Sequence, residues 1–177
     1  MTRQIQLLAA STMPRKAVPG RGVLDASVTR MRVHPGDLDL YLHVNNGVYL
    51  QMMDVARSNL IADLGGFALL KDAGWYPVVA ASTMKYRRSL QLWDRFDITT
   101  RVLGWDERVI YLEQAFARRG DLCARGLVAG RFLARGSGER VPAPAVVGLL
   151  GGDVPSPDVP ADVAAWARAM DVAHRTV

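Results

Sequence analysis

The chain has 177 residues, half of them hydrophobic and 22% charged, a composition that supports one well-filled globular domain and excludes a disordered one. Net charge is +5, carried mostly by arginine, but the arginines are scattered, and only Lys85-Tyr86-Arg87-Arg88 is dense. A small polyanionic molecule accounts for such a surplus as well as a nucleic acid does, and no nucleic-acid partner is expected. A single cysteine, Cys123, allows no intrachain disulfide and reads as a small buried residue in a strand. No apolar run approaches the ~18 residues of a membrane span. Ile5 to Ala10 is too short and too poorly flanked for a signal peptide, so a cytoplasmic protein is expected.

In chain order, residues 1–22 carry Pro14, Pro19, Gly20 and Gly22 and are expected to form an irregular arm. Residues 23–33 alternate with β-branched side chains and predict a strand stopped by His34-Pro35-Gly36. Asn45 or Asn46 then offers an N-cap for a helix from Val48 to Leu64. That helix is apolar round most of its circumference, hence buried, and ends where Gly65 can turn left-handed. Phe67–Tyr76 connects to period-two alternation over 78–88, 96–105, 109–118 and 122–135, joined by short turns. Such a series folds as an antiparallel meander. The Gly- and Pro-rich stretch 136–160 predicts a surface excursion, and 162–174 a short amphipathic helix capped by Asp162.

One strand, one long buried helix and four strands imply an α+β fold in which an antiparallel sheet wraps round the helix. The expected division is an arm over 1–22, a central domain over 23–136 and a C-terminal extension over 137–177. Edge strands left open by one sheet would pair across a two-fold axis, giving a homodimer or tetramer.

The most informative stretch precedes the long helix. Asp39 and His43 stand just before a helix N-terminus, where unpaired amides and a partial positive charge favour an anion, including one that develops during a reaction. The run Asp37-x-Asp39-x-x-x-His43-Val44-Asn45-Asn46-x-x-Tyr49-Leu50, followed by Asp54-x-Ala56-Arg57, resembles the signature of hotdog-fold thioesterases. It is similar to the 4-hydroxybenzoyl-CoA thioesterase group, and in particular to its member-six-like branch, over roughly residues 23–136. Most of the group has glycine before the histidine; here the residue is Leu42.

The resemblance implies an acyl-CoA thioesterase that needs no metal or redox cofactor, with an acyl-CoA or acyl-carrier thioester as partner. Asp39 would act as nucleophile or as base for water, and a loop carboxylate that merely caps a turn is the plain alternative. His43 would position Asp39, polarise the carbonyl or protonate the leaving thiolate. Asn45, Asn46, Gly47 and Tyr49 would surround the thioester, chiefly through amides near Asn46 and Gly47, although Asn-Asn-Gly is equally an ordinary helix entry and Tyr49 an ordinary core residue. Lys85, Arg87 and Arg88 would meet the phosphates of coenzyme A or form a solvated strand edge. Asp54 is expected to pair with Arg57. No metal site is expected, because His34, His43 and His174 lack ligand spacing. Leu42 also leaves open a non-catalytic acyl-CoA binding protein of the same fold.

Overall fold

The computed structural model describes residues 2–173. Its elements are α1 (Thr2–Thr12), β1 (Ser27–Arg32), a single 3₁₀ turn (Pro35–Asp37), α2 (Asn46–Asp63), α3 (Gly66–Asp72), β2 (Trp75–Tyr86), β3 (Arg95–Trp105), β4 (Ile110–Arg118), β5 (Asp121–Ala134), β6 (Arg140–Val141), α4 (Ala143–Gly151) and α5 (Ala161–Ala169). The sheet is antiparallel in the order β1-β3-β4-β5-β2, with β6 added beside β5. α2, roughly 27 Å long at about 1.5 Å per residue, lies in the concave face, as expected of the hotdog fold.

Contact between helix and sheet is close. Met52, Met53, Ala56 and Leu60 of α2 are buried against Phe96, Ile98, Phe116 and Val128 of the sheet. At Gly126 a β-carbon would come within 2.5 Å of Met53 Cε, so glycine there lets the helix settle. Gln114, fully buried on β4, donates to the Met53 carbonyl at 3.0 Å and to Thr100 Oγ1 at 3.1 Å, which pins α2 in register with the strands.

Three expectations need correction. The first is the N-terminal arm, whose residues Thr2–Thr12 form a helix, while 13–22 are irregular as expected. α1 turns Arg3 inward, 2% exposed, to make a two-pronged bond to the fully buried Asp37, at 2.9 Å from Nε and 2.5 Å from Nη2. Nη2 also donates to the Arg32 carbonyl at 2.7 Å. Further along, Arg15 (2.6 Å) and Arg21 (2.9 Å) both reach Asp63, 2% exposed in the last turn of α2. A carboxylate at that end of a helix opposes the dipole, and two guanidinium groups offset it. Residues 2–21 therefore hold α2 at both ends.

The second is 136–160, where β6 and α4 replace the expected excursion. Val141, Ala143, Val146 and Val147 are buried in the main core. Pro142 sits where a helix start tolerates proline. The third is the last helix, which ends at Ala169 and has Pro160, not Asp162, at its cap position. Asp162 instead accepts from Arg125 at 3.0 Å, and Arg125 in turn binds Glu113 at 2.5 Å. Burial resists ionisation of Glu113, but Arg101 and Arg125 override it and hold its carboxyl below the usual range. α5 thus covers the outer face of the sheet over Val109, Tyr111 and Leu127. His174 lies outside the described residues.

Removing Arg3 would leave Asp37 buried without its cation, a change that typically costs about 3–5 kcal/mol. Arg3→Met should lower stability by that amount in urea unfolding, whereas a change below about 1 kcal/mol would show that the pair does not hold α1.

Candidate active site

The site is built where the 3₁₀ turn, a short hairpin and the first turn of α2 meet. Leu38 and Val44 pair as an antiparallel bridge, which turns residues 39–43 into a tight loop. Within it the Asp39 amide donates to the His43 carbonyl at 2.8 Å, and the Leu42 amide to the Asp39 carbonyl at 3.1 Å. The Asp39 side chain closes the loop on itself: Oδ1 accepts from the Tyr41 amide at 2.8 Å and the His43 amide at 3.2 Å. Asp39 is therefore a turn-capping aspartate, the plain alternative, and its Oδ2 has no partner among the described residues. A half-buried carboxylate with one oxygen fixed and the other unoccupied is oriented without being consumed by structure.

Leu42 adopts φ +60°, the left-handed conformation that costs a side chain about 1–2 kcal/mol and that glycine adopts freely. That conformation explains glycine in the signature. Leu42 takes the left-handed turn despite its side chain.

α2 begins as the Asn45 cap requires. Oδ1 of Asn45 accepts from the Gly47 amide at 2.9 Å, and its carbonyl accepts from the Val48 amide at 2.9 Å. The Asn45 amide donates to the Asp37 carbonyl at 2.8 Å, so the cap is tied to the residue that Arg3 anchors. Gly47, expected to present an amide to substrate, has that amide engaged by the cap. The Asn46 amide is the first-turn donor left without an acceptor among the described residues. Tyr49 also departs from expectation. It is 3% exposed, its ring packs edge-on against Tyr86 and Phe116, and burial pushes its phenol up to about 12. Its ring is part of the buried core.

His43 is exposed, and it meets Asp39 only through its backbone; its imidazole has no bonded partner among the described residues. Lys85, Arg87 and Arg88 are exposed where β2 ends. Both the Arg87 and Arg88 amides donate to the Cys123 carbonyl, at 2.8 and 3.0 Å, and the Arg88 guanidinium pairs with Asp121 at 2.6 Å. Tyr86 between them donates to the Asn46 carbonyl at 3.5 Å, which brings this basic run to the same end of the domain as the α2 tip. Asp54 pairs with Arg57 as expected, and Arg57 also donates to Gln114 at 2.7 Å. The part played by Asp37 in holding the cap was not recognised from the sequence, although Asp37 stands in the signature itself.

A family model described as Thioesterase-like superfamily matches residues 33–166. The chain belongs to this thioesterase-like superfamily. Protein THEM6 of Xenopus laevis is 36% identical over 140 residues, 78% of this chain and 66% of that protein. Protein THEM6 of Danio rerio is 33% identical over 166 residues, 90% of this chain and 77% of its own length. The chain thus spans about two thirds to three quarters of these superfamily relatives. Among solved structures, the YbaW probable thioesterase of Escherichia coli superposes with a TM-score of 0.65 at 21% identity, covering 71% of this chain and 98% of that one. At that identity the likeness shows the shared fold.

Leu42→Gly should relieve the left-handed strain, less about 0.4–1 kcal/mol of added freedom in the unfolded chain. The expected net gain, up to about 1 kcal/mol, would appear as a higher urea midpoint; a lower midpoint would mean that Leu42 makes contacts worth more than the strain.

Proposed function

We propose that the protein hydrolyses an acyl-CoA thioester at the N-terminal tip of α2. The observation that supports this reading is the Asp39 carboxylate, held through Oδ1 by two loop amides and with no partner for Oδ2 among the described residues, in the loop that leads into the N-terminus of a buried helix. A thioester carbonyl placed there would have its oxygen on the Asn46 amide, where developing negative charge meets a fixed donor and the positive end of the dipole. Oδ2 would attack the carbonyl carbon, the carbon–sulfur bond would break, and water would then release the acid; alternatively Oδ2 takes a proton from the attacking water. His43 is the exposed group nearest in sequence that can give the departing thiolate its proton. Lys85 and Arg87, exposed and without carboxylate partners among the described residues, are suited to the phosphates of coenzyme A.

The second part of the proposal is a homodimer. Among the described residues β2 pairs only with β5, so one edge of this 12-residue strand is open. A long open edge is a pairing template, and a second copy across a two-fold axis would continue the sheet.

Asp39→Asn keeps the shape of the side chain and should lower thiol release from accepted acyl-CoAs by about 10³-fold or more with melting temperature little changed; turnover within about tenfold of the parent would defeat the mechanism. Sedimentation should give twice the chain mass, and a proline at Val79 in β2 should shift it to one; a monomeric parent would refute the pairing.

A further inference from the structure

None of the residues assigned to the α2 tip lines the apolar cavity beside the long helix. A cavity of about 220 Å³ lies between the C-terminal two-thirds of α2 and the sheet beside β2. Asp54, Arg57, Ser58 and Ile61 of α2 form one wall, and Val79, Leu112 and Phe132 stand on the sheet side. Its two charged members are paired: Arg57 bonds Asp54 and also Gln114 behind the lining, and burial pushes its guanidinium below the usual value while Asp54 opposes that shift. What remains for an occupant is aliphatic. Leu7 of α1 and Leu150 of α4 complete the lining from outside the sheet and long helix.

One face of α2 runs from the tip to this cavity. Gly47, Leu50, Asp54, Ser58 and Ile61 follow one another at three- and four-residue spacing, so they share one face of α2. Leu50 on that face is 42% exposed although it is apolar. Asp54 is eight residues beyond Asn46, about 12 Å along the helix. An extended chain advances ~1.2 Å per bond, since three backbone bonds span ~3.6 Å. About ten bonds therefore separate a carbonyl at the tip from the mouth of the cavity.

We propose that the cavity holds the distal end of an unbranched aliphatic acyl chain longer than about ten carbons, and that Leu7, fixed by the Arg3–Asp37 clamp, limits how long that chain can be. The position of the carbonyl rests on the thioesterase reading; the aliphatic character of the cavity does not. A single aromatic ring attached to the thioester would stop short of it.

The test is a chain-length series of saturated acyl-CoAs with thiol release as readout, run beside binding of a fluorescent conjugated fatty acid. Ser58→Phe and Leu7→Trp each fill the space. They should lower kcat/KM for palmitoyl-CoA by about tenfold or more while leaving hexanoyl-CoA within about twofold, and should abolish fatty-acid binding. Leu7→Ala should move the preferred length upward. Equal loss on short and long chains by folded variants, or no loss on either, would overturn the proposal. If one filling variant fails to fold, the other decides. Fatty-acid binding that these variants abolish, in a protein releasing no thiol from any acyl-CoA, would support the cavity and sink the hydrolase reading. Brisk hydrolysis indifferent to the variants would do the reverse.

Discussion

A buried carboxylate governs the geometry of the whole site. Asp37 is excluded from solvent, and water-free burial of a charge is tolerated only when its oxygens are engaged. Arg3 supplies two donors and the His34 amide a third, at 2.7 Å. With the side chain so fixed, the Asp37 carbonyl is in place to hold the Asn45 amide, and Asn45 caps α2. The loop carrying Asp39 is strung between these two fixed residues. An apolar pair of equal volume could stabilise the fold as well, but it would not aim a carbonyl at the cap. The ion pair is thus better understood as a device for direction than for stability.

The same logic operates at the far end of α2. Asp63 stands where the helix dipole is negative, and Arg15 and Arg21 offset it from the segment that follows α1. The segment 2–21 runs the length of the helix and grips both ends with guanidinium groups. The Gln114 bonds and the Gly126 approach hold its middle. α2 cannot slide or rotate without breaking the Asn45 amide's bond to Asp37 at one end, the Asp63 ion pairs at the other and a buried amide bond between them.

The sequence made some of this legible and hid the rest for physical reasons. Alternation in β2–β5, the Asn45 cap and the near-continuous apolar surface of α2 are local signals, and each appears where expected. α1 was missed because its pattern is inverted: Arg3 is inside, while Ile5 and Leu8 are 67% and 63% exposed. Glycine and proline between 136 and 160 suggested an excursion, yet Val146 and Val147 are fully enclosed, and the apolar run around them was the overlooked signal. Asn-Asn-Gly does not disclose which amide its cap engages, and the structure gives that of Gly47 to Asn45 Oδ1. The Asp37–Arg3 pair spans 34 positions, and no periodicity reveals a contact of that range.

These features divide the labour along one helix. Its tip is polar and incompletely satisfied, with an oriented carboxylate and a free amide. Its middle is polar but internally satisfied through Asp54, Arg57 and Gln114, so it can pass an apolar chain without offering an unpaired group. Beyond that its surface is largely aliphatic and faces a cavity that Leu7 and Leu150 also line. The reacting group and the far end of a chain would then be measured against the same rigid rod, and the length between them is set by helical rise rather than by a flexible loop. A clamp that holds this rod at both ends therefore fixes distance as well as direction, which explains why the α1 segment that supplies Arg3 also supplies Leu7.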